Sequence, residues 1–334
     1  MNILLTGSQG FIGSYLCQEL LNRGHEVIGL DNYSKYGKVS RPHDDFDNFS
    51  FYEQDVTKPL EIENFDSVDV IIAGAAMIGG ISYFHKYAYD LLSTNERIMA
   101  NTFDLAIKLY KEHNLNKIVV LSSSMVFENT SLYPTPEHEV RNCKPPSSTY
   151  GFQKLACEYF CQGANEQYGL PYNIIRPFNC VGVGEDESIK EEKILIGNHK
   201  MMMSHVLPDL IHRAINSKPN DLCAILGDGS QVRHYTNGKD IARGIRYVVE
   251  HDNSIINEDF NISSDRATSV TELATLIWNE IHGCDPVFKQ HKPYDYDVQL
   301  RSPDVSKARN LLNFETEINL EESVKEVISY MRKI

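Results

Sequence analysis

The stretch MNILLTGSQGFIG, residues 1–13, decides how the rest of the chain is read. Asn2 to Thr6 is a short, mostly apolar run of buried-strand size. Gly7, Gly10 and Gly13 follow at intervals of three. Then SYLCQELLNRG repeats with a helical period through Tyr15, Leu16, Glu19, Leu20 and Arg23. A strand, a glycine turn and a helix together present backbone N–H groups and a helix N-terminus to a pyrophosphate. The next apolar run, VIGLD, closes on Asp31, about twenty residues on, where a carboxylate meets the ribose hydroxyls of a dinucleotide. An acidic group there repels the 2′-phosphate of NADP, so NAD is the expected cofactor. The G-x-x-G-x-x-G spacing differs from the G-x-G-x-x-G of two-domain dehydrogenases.

Outward from this unit, strand and helix patterns alternate. FSFYEQDV (49–56), SVDVIIAGAA (67–76), KIVVLSSS (117–124) and YNIIRPFN (172–179) are strand-like runs. Leu91–His113 and Tyr150–Tyr168 are helical patterns. Such alternation implies a Rossmann-type, doubly wound α/β parallel sheet, with ligand chemistry at the carboxyl ends of the strands. Gly7, Asp31, Asp55, Ala75, Ser123 and Asn179 fall at those ends. After Arg176-Pro177 the pattern loosens, and Gly182–Lys200 is expected as a loop. Helices are expected at 204–215, 239–251 and TSVTELATLIWNEI, and from SPDVSKARNLL with Ser302 or Asp304 as its cap. The expected division is a cofactor domain over 1–178, with 232–262 returning to it. A smaller α/β lobe for the substrate takes most of 179–231 and 263–334.

The totals narrow the class. The 334 residues, 42% hydrophobic and 23% charged, suit a globular chain with a large core. The formal net charge of −14 argues against nucleic acid and anionic membrane surfaces. The seven cysteines include no C-x-x-C pair. Cys157 and Cys161, one helical turn apart, are expected as core residues, and no metal site is expected. With the first strand starting at Asn2 and no apolar run near eighteen residues, neither a signal peptide nor a membrane span is expected. The chain is expected in the cytoplasm.

A second motif carries the chemistry. Tyr150-Gly-Phe-Gln-Lys154 places a phenol and an ammonium on one helix face. Pro145-Pro146-Ser147-Ser148 supplies the helix start. A phenol is ordinarily protonated at neutrality, so a Tyr base needs adjacent positive charge, which Lys154 and a nicotinamide ring would provide. Ser122-Ser123-Ser124, at a strand end just upstream, offers a hydroxyl to both the phenol and a substrate oxygen. An exposed Tyr–Lys pair and a strand-end cap are the plain alternatives.

Here the sequence resembles the extended short-chain dehydrogenase/reductases that epimerise, dehydrate or reduce nucleotide-sugars. The resemblance spans nearly the whole chain: TGSQGFIG, LDN (30–32), QDV (54–56), GAA (74–76), SSSMVF (122–127), YGFQK, IIRPFNCVG (174–182), LGDGSQVRHYT (226–236) and SPDVSKA (302–308). It implies a catalytic Ser123–Tyr150–Lys154 set, with Phe127 in the slot usually held by Tyr and Ser124 as the near alternative to Ser123. It implies an NAD site of Gly7, Gly10, Phe11, Ile12, Gly13, Asp31, Asn32, Asp55, Val56, Gly74, Ala75, Asn95, Tyr150, Lys154 and Pro177. For the nucleotide-diphosphate sugar it implies Ser123, Ser124, Met125, Tyr150, Asn179, Asn198, Val206, Arg233 and Arg301, the two arginines pairing with phosphates. It also implies a homodimer through helices 91–113 and 150–169.

The reaction follows from what is missing. The 4,6-dehydratases of the family carry Asp-Glu after the catalytic Thr, where this chain has Ser124-Met125. The 3,5-epimerases and epimerase-reductases use a Cys in the Met125 slot. MIGGISYFHKYAYDLLSTN (77–95) nevertheless looks like the GDP-sugar branch. Without an added acid or base, the set can move one hydride and one proton at a single alcohol carbon. C4 epimerisation through a transient 4-keto sugar is therefore expected. The alternatives are a reductase, dehydratase or C3/C5 epimerase on the same scaffold, and, in another class, a non-catalytic dinucleotide sensor. The chain departs from the family at Ala73 (usually His), at Asn237-Gly238 (usually Tyr-Val) and over Glu185–Met203, where the family's substrate loop lies; Asn198, His199 and His205 are the expected contacts to sugar or base. Tyr83, Phe84, Tyr87 and Tyr89 are expected to pack or to wall the site.

Overall fold

The computed structural model describes residues 1–60, 65, 67–79, 86–185, 194–196, 199–201, 205–292 and 298–333. Seven strands form one wholly parallel sheet: β1 (Asn2–Thr6), β2 (Glu26–Asp31), β3 (Phe49–Glu53), β4 (Val70–Ala73), β5 (Lys117–Leu121), β6 (Tyr172–Pro177) and β13 (Glu258–Ile262). Their order is β13-β6-β5-β4-β1-β2-β3. All residues of β4 and β5 are buried, as strands covered by helices on both faces must be. Leu4 of β1 aligns with Ile28 of β2 on one side and Ile71 of β4 on the other. The strand order reverses at β1, and a ligand cleft opens beyond the carboxyl ends at such a switch point.

One face of the sheet is covered by α1 (Phe11–Asn22) and, much later in the chain, α5 (Gly238–Glu250), through Leu16, Leu20, Ile241 and Ile245. The other is covered by α2 (Ala88–Glu112) and α3 (Thr149–Tyr168), through Phe103, Leu109, Cys157 and Cys161. The two expected core cysteines are indeed core. A separate core joins α4 (Val206–Ile215), α6 (Val270–His282) and α8 (Leu320–Met331), with Leu207, Ile211, Leu273, Trp278 and Val327 at its centre. No described helix is long and apolar enough to cross a membrane.

Several boundaries differ from expectation. The strands stop at Glu53, Ala73, Leu121 and Pro177, short of the ends of their apolar or small-residue runs. The residues left over leave the ladder and turn into the cleft. Outside the sheet the described chain makes short pairs: β7 (Cys180–Val181) with β12 (Thr236–Asn237), β10 (Leu222–Leu226) with β15 (Val287–His291), β11 (Val232–Arg233) with β14 (Thr268–Ser269) and, within the expected loop 182–200, antiparallel β8 (Ile194–Ile196) with β9 (His199–Met201). α7 spans Ser306–Leu312 with Val305 at its N-cap, so neither Ser302 nor Asp304 holds that place; Asp304 accepts the Ser306 N–H at 2.8 Å instead. Tyr83, Phe84 and Asn198 lie outside the described residues.

Candidate active site

The glycine turn makes its cradle by exclusion. Gly7 has φ +80°, and a Cβ there would stand 2.8 Å from the Ala75 Cα. A Cβ on Gly13 would stand 2.0 Å from the Gly7 carbonyl oxygen, so only glycine lets α1 lie against the turn. Gly10 is the N-cap of α1, and no side chain caps it. The first N–H groups of the helix are thus left for an anion. Opposite, the Gly74 and Ala75 N–H groups both donate to Thr6 Oγ1 at 3.1 Å, fixing the end of β4 beside the turn. Asp31 accepts the Gln9 N–H at 3.1 Å and the Tyr33 N–H at 2.8 Å. Burial pushes its carboxyl above the ordinary range, against the pull of those amides. Burial also acts on Asp55, but the Thr57 hydroxyl and amide outweigh it and hold that carboxyl below its usual value. The cradle, uncapped helix end and half-buried Asp31 carboxylate fit NAD.

The second half of the site is built where β5 ends. Ser123 caps a single 3₁₀ turn, Ser124–Phe127, by accepting the Met125 N–H at 3.2 Å. α3 starts against this turn. Its N-cap is Ser148, which accepts the Gly151 N–H at 3.0 Å while Glu128 accepts the Ser148 hydroxyl at 2.9 Å. Gly151 is glycine because a Cβ would lie 2.6 Å from Pro146 Cβ and 2.8 Å from the Met125 carbonyl oxygen. This close approach delivers Tyr150 and Lys154 to the end of β5. Lys154 Nζ donates to the Leu121 carbonyl at 2.8 Å. Tyr150 packs in a small apolar cluster with Leu91 and Met125, so the slot that could have held a second acid or base is a thioether against the phenol ring.

Both halves open on one cleft of about 1870 Å³. Every expected site residue within the described chain lines it except Asn95. Asn95 is buried behind the wall, where its side chain accepts from Met77 N–H at 2.7 Å and donates to Met77 O at 3.0 Å. It braces the wall rather than touching what the cleft holds. On the far side, the Arg301 N–H donates to Val232 O at 3.2 Å, which sets Arg301 next to Arg233. Asn179 takes φ +35° just past β6, and its buried Oδ1 has no hydrogen-bond partner among the described residues. Val206 opens α4, and His205 before it pairs with the buried Glu185 carboxylate. Burial and the Glu185 charge push the Cys180 thiol strongly up.

Arg213 and Arg41 had no signal in the sequence. Arg213 lines the cleft, with Nε donating to Asp209 at 2.9 Å and Nη1 to Ala224 O at 2.6 Å. Arg41, from an aperiodic loop, donates to Gln9 O at 3.1 Å and Gly184 O at 3.0 Å, tying the glycine turn to the substrate side. The departure at Asn237-Gly238 has a local cause. The Tyr15 ring lies 2.4 Å from where a Gly238 Cβ would be, and the Tyr15 hydroxyl accepts the Val183 N–H at 2.6 Å. Asn237 caps α5 and donates to Ser323 Oγ at 3.0 Å.

Known proteins resemble this chain over nearly its whole length. A putative UDP-glucose 4-epimerase of Methanocaldococcus jannaschii is 29% identical over 332 residues, covering 99% of this chain and 98% of that protein. A UDP-N-acetyl-α-D-glucosaminuronate decarboxylase of Bacillus cytotoxicus is 28% identical, covering 99% and 98%. The crystal structure of a Thermotoga maritima UDP-glucose 4-epimerase with UDP-glucose superposes with a TM-score of 0.80 at 29% identity, over 100% of this chain and 99% of that one. The model of the NAD dependent epimerase/dehydratase family matches residues 3–263. The chain belongs to that family.

Proposed function

We propose that the protein is an NAD-dependent epimerase of a UDP-sugar, inverting C4 through a 4-keto intermediate. The observation that carries this is Met125 packed on Tyr150: one phenol, one serine and one ammonium meet at the cleft, with no further acid or base in the Met125 slot. NAD supplies the acceptor for the C4 hydride and returns it. The chain supplies the rest. Tyr150 takes the proton of the C4 hydroxyl and gives it back after the sugar has turned. Ser123, fixed by its bond to the Met125 N–H, donates its hydroxyl hydrogen to the same sugar oxygen. Lys154, held on Leu121 O one helical turn from Tyr150, orients the phenol and would hold the nicotinamide ribose. Met125 and Leu91 keep water from the phenol. Arg233 and Arg301 hold the diphosphate, which lets an acidic chain take an anionic substrate. In this reading 1–178 with 232–262 serves the cofactor, and 179–231 with 263–334 serves the sugar nucleotide.

Incubation with UDP-glucose, UDP-N-acetylglucosamine and UDP-glucuronate, followed by NMR, tests the reading. The expected product differs from its substrate only at C4. Release of carbon dioxide from the uronate would instead give the decarboxylase outcome suggested by the second relative; net NADH consumption or loss of water would also displace the epimerase. Replacing Tyr150 with Phe is expected to lower kcat by about 10²–10⁴-fold, with NAD still bound to the purified protein. Undiminished turnover would exclude Tyr150 as the base.

A further inference from the structure

The helix face that carries Tyr150 and Lys154 continues to Glu158, four residues on and only 1% exposed. Glu158 Oε1 accepts the Ser122 hydroxyl at 2.6 Å. The same carboxylate takes a bidentate pair from Arg176 of β6, Nε to Oε1 and Nη2 to Oε2, both at 2.8 Å. Arg176 is also 1% exposed, and its guanidinium sits 5.0 Å above the Phe127 ring. From Arg176 the chain of charges goes on to Asp259 of β13 at 2.7 Å, and from Asp259 to Lys307 of α7 at 2.9 Å. One end of this chain is therefore the residue next to Ser123. The other is α7, which follows Arg301 by only a few residues.

Stability is a poor account of this arrangement. Taking a carboxylate and a guanidinium out of water costs several kcal/mol each, and apolar residues of the same volume often do as well or better. What the pair does supply is direction. Two parallel N–H···O bonds and one short O–H···O bond hold the carboxylate in a single plane. Through it, Ser122 is held in a single place. The Lys154 carbonyl lies 3.5 Å from the Ser122 hydroxyl, and Lys154 Nζ grips Leu121 O. Three contacts from one face of α3 thus clamp residues 121–122.

We propose that Glu158, oriented by Arg176, is a positioning residue for the reaction. It fixes the end of β5 against α3 so that the Ser123 hydroxyl and the Tyr150 phenol address the same substrate oxygen. The proposal rests on the epimerase reading above. Its test uses the full chain loaded with NAD and the UDP-sugar that the wild type turns over. Glu158→Gln and Ser122→Ala are each expected to lower kcat about 10–100-fold, as a misplacement of about 1 Å does, while KM changes less than about threefold. Ser122→Thr, which keeps the hydroxyl, recovers most of the loss. The double variant Ser122→Ala/Glu158→Gln is no worse than Glu158→Gln alone, because the two act through one contact. An unchanged kcat in either single variant, a loss expressed in KM, or additive losses in the double variant overturn the proposal. If Glu158→Gln does not fold, the Ser122→Ala and Ser122→Thr pair decides in the same way. If the wild type turns over no UDP-sugar, the epimerase reading falls and amide hydrogen exchange decides this one. Ser122→Ala then raises exchange at the Met125 N–H about tenfold, corresponding to about 1.4 kcal/mol of lost local protection; unchanged exchange refutes the clamp.

Discussion

His43 shows how much one residue contributes outside the chemistry. It is wholly buried, edge-on to Phe49 with ring centroids 4.8 Å apart, and 3.4 Å from the Gln9 amide. Burial pushes its imidazole down to about 4, with the Arg41 guanidinium also lowering it and the Asp44 carboxylate pulling the other way. The folded protein therefore keeps His43 neutral to about pH 4, while the unfolded chain takes up a proton near 6.5. Between those values the unfolded state binds more protons, so stability falls as pH drops through the window; above 6.5 this residue contributes no pH dependence. The expected loss is about 2 kcal/mol by pH 5. Urea unfolding at pH 7.5 and pH 5 checks it: His43→Leu should lose less stability over that interval than the wild type, and equal losses would assign the acid sensitivity elsewhere. The consequence reaches the site, because Gln9 carries both the N–H that holds Asp31 and the carbonyl that takes Arg41.

At the scale of elements, the N-terminus of α3 matters most. Its cap is a chain of side chains, Glu128 to Ser148 to the Gly151 N–H. Ser148→Ala is expected to cost about 1 kcal/mol in global unfolding and to lower kcat as well, since Tyr150 sits in the first turn; a stability loss with kcat intact would detach the cap from the site. Most of the elements were legible in the sequence, because continuous apolar runs and 3.6-residue spacing both report burial directly. Their ends were less so. Ser122–Ser124 extend the run of β5 as small residues do, but the ladder ends at Leu121, and Ser123 turns the chain into a 3₁₀ turn by accepting the Met125 N–H. Glycine spacing, Asp31 and the Tyr150–Lys154 pair are local patterns, and local patterns can be read from one sequence. Glu158–Arg176 joins positions eighteen apart, and Arg41–Gly184 joins positions 143 apart. Nothing in a single chain marks such pairs before the fold brings them together. Asn95, expected beside the cofactor, is joined by its side chain to the backbone of Met77, eighteen positions earlier, another pairing that no local pattern marks.

For the whole molecule, the −14 net charge and an anionic substrate are reconciled by placement. Arg233 and Arg301 line one side of the cleft, where two guanidinium groups can meet an anion, while Arg213 beside them is already paired with Asp209. The outer surface of α3 carries Phe152 and Tyr159, which are 48% and 64% exposed, whereas Tyr89 at the start of α2 walls the cleft. We infer that a second copy covers this face, pairing α2 and α3 with their counterparts. Tyr159→Glu is expected to halve the mass seen by light scattering while leaving circular dichroism unchanged, and a wild-type monomer would dispose of the dimer.

The place of β13 has a further consequence. It forms the outer edge of the sheet beside β6, yet the chain reaches it only some eighty residues later, after α4 in the other core and α5 on the face of the sheet. Until residue 262 is made, β6 is an open edge with unpaired backbone groups, and Arg176 has no Asp259 to face. A nascent chain stopped at 178 holds the glycine cradle, Tyr150 and Lys154, but not a closed sheet. Ribosomal order and structural order therefore disagree in this protein: the central sheet is completed only when its outermost strand, far from β6 in sequence, has been translated.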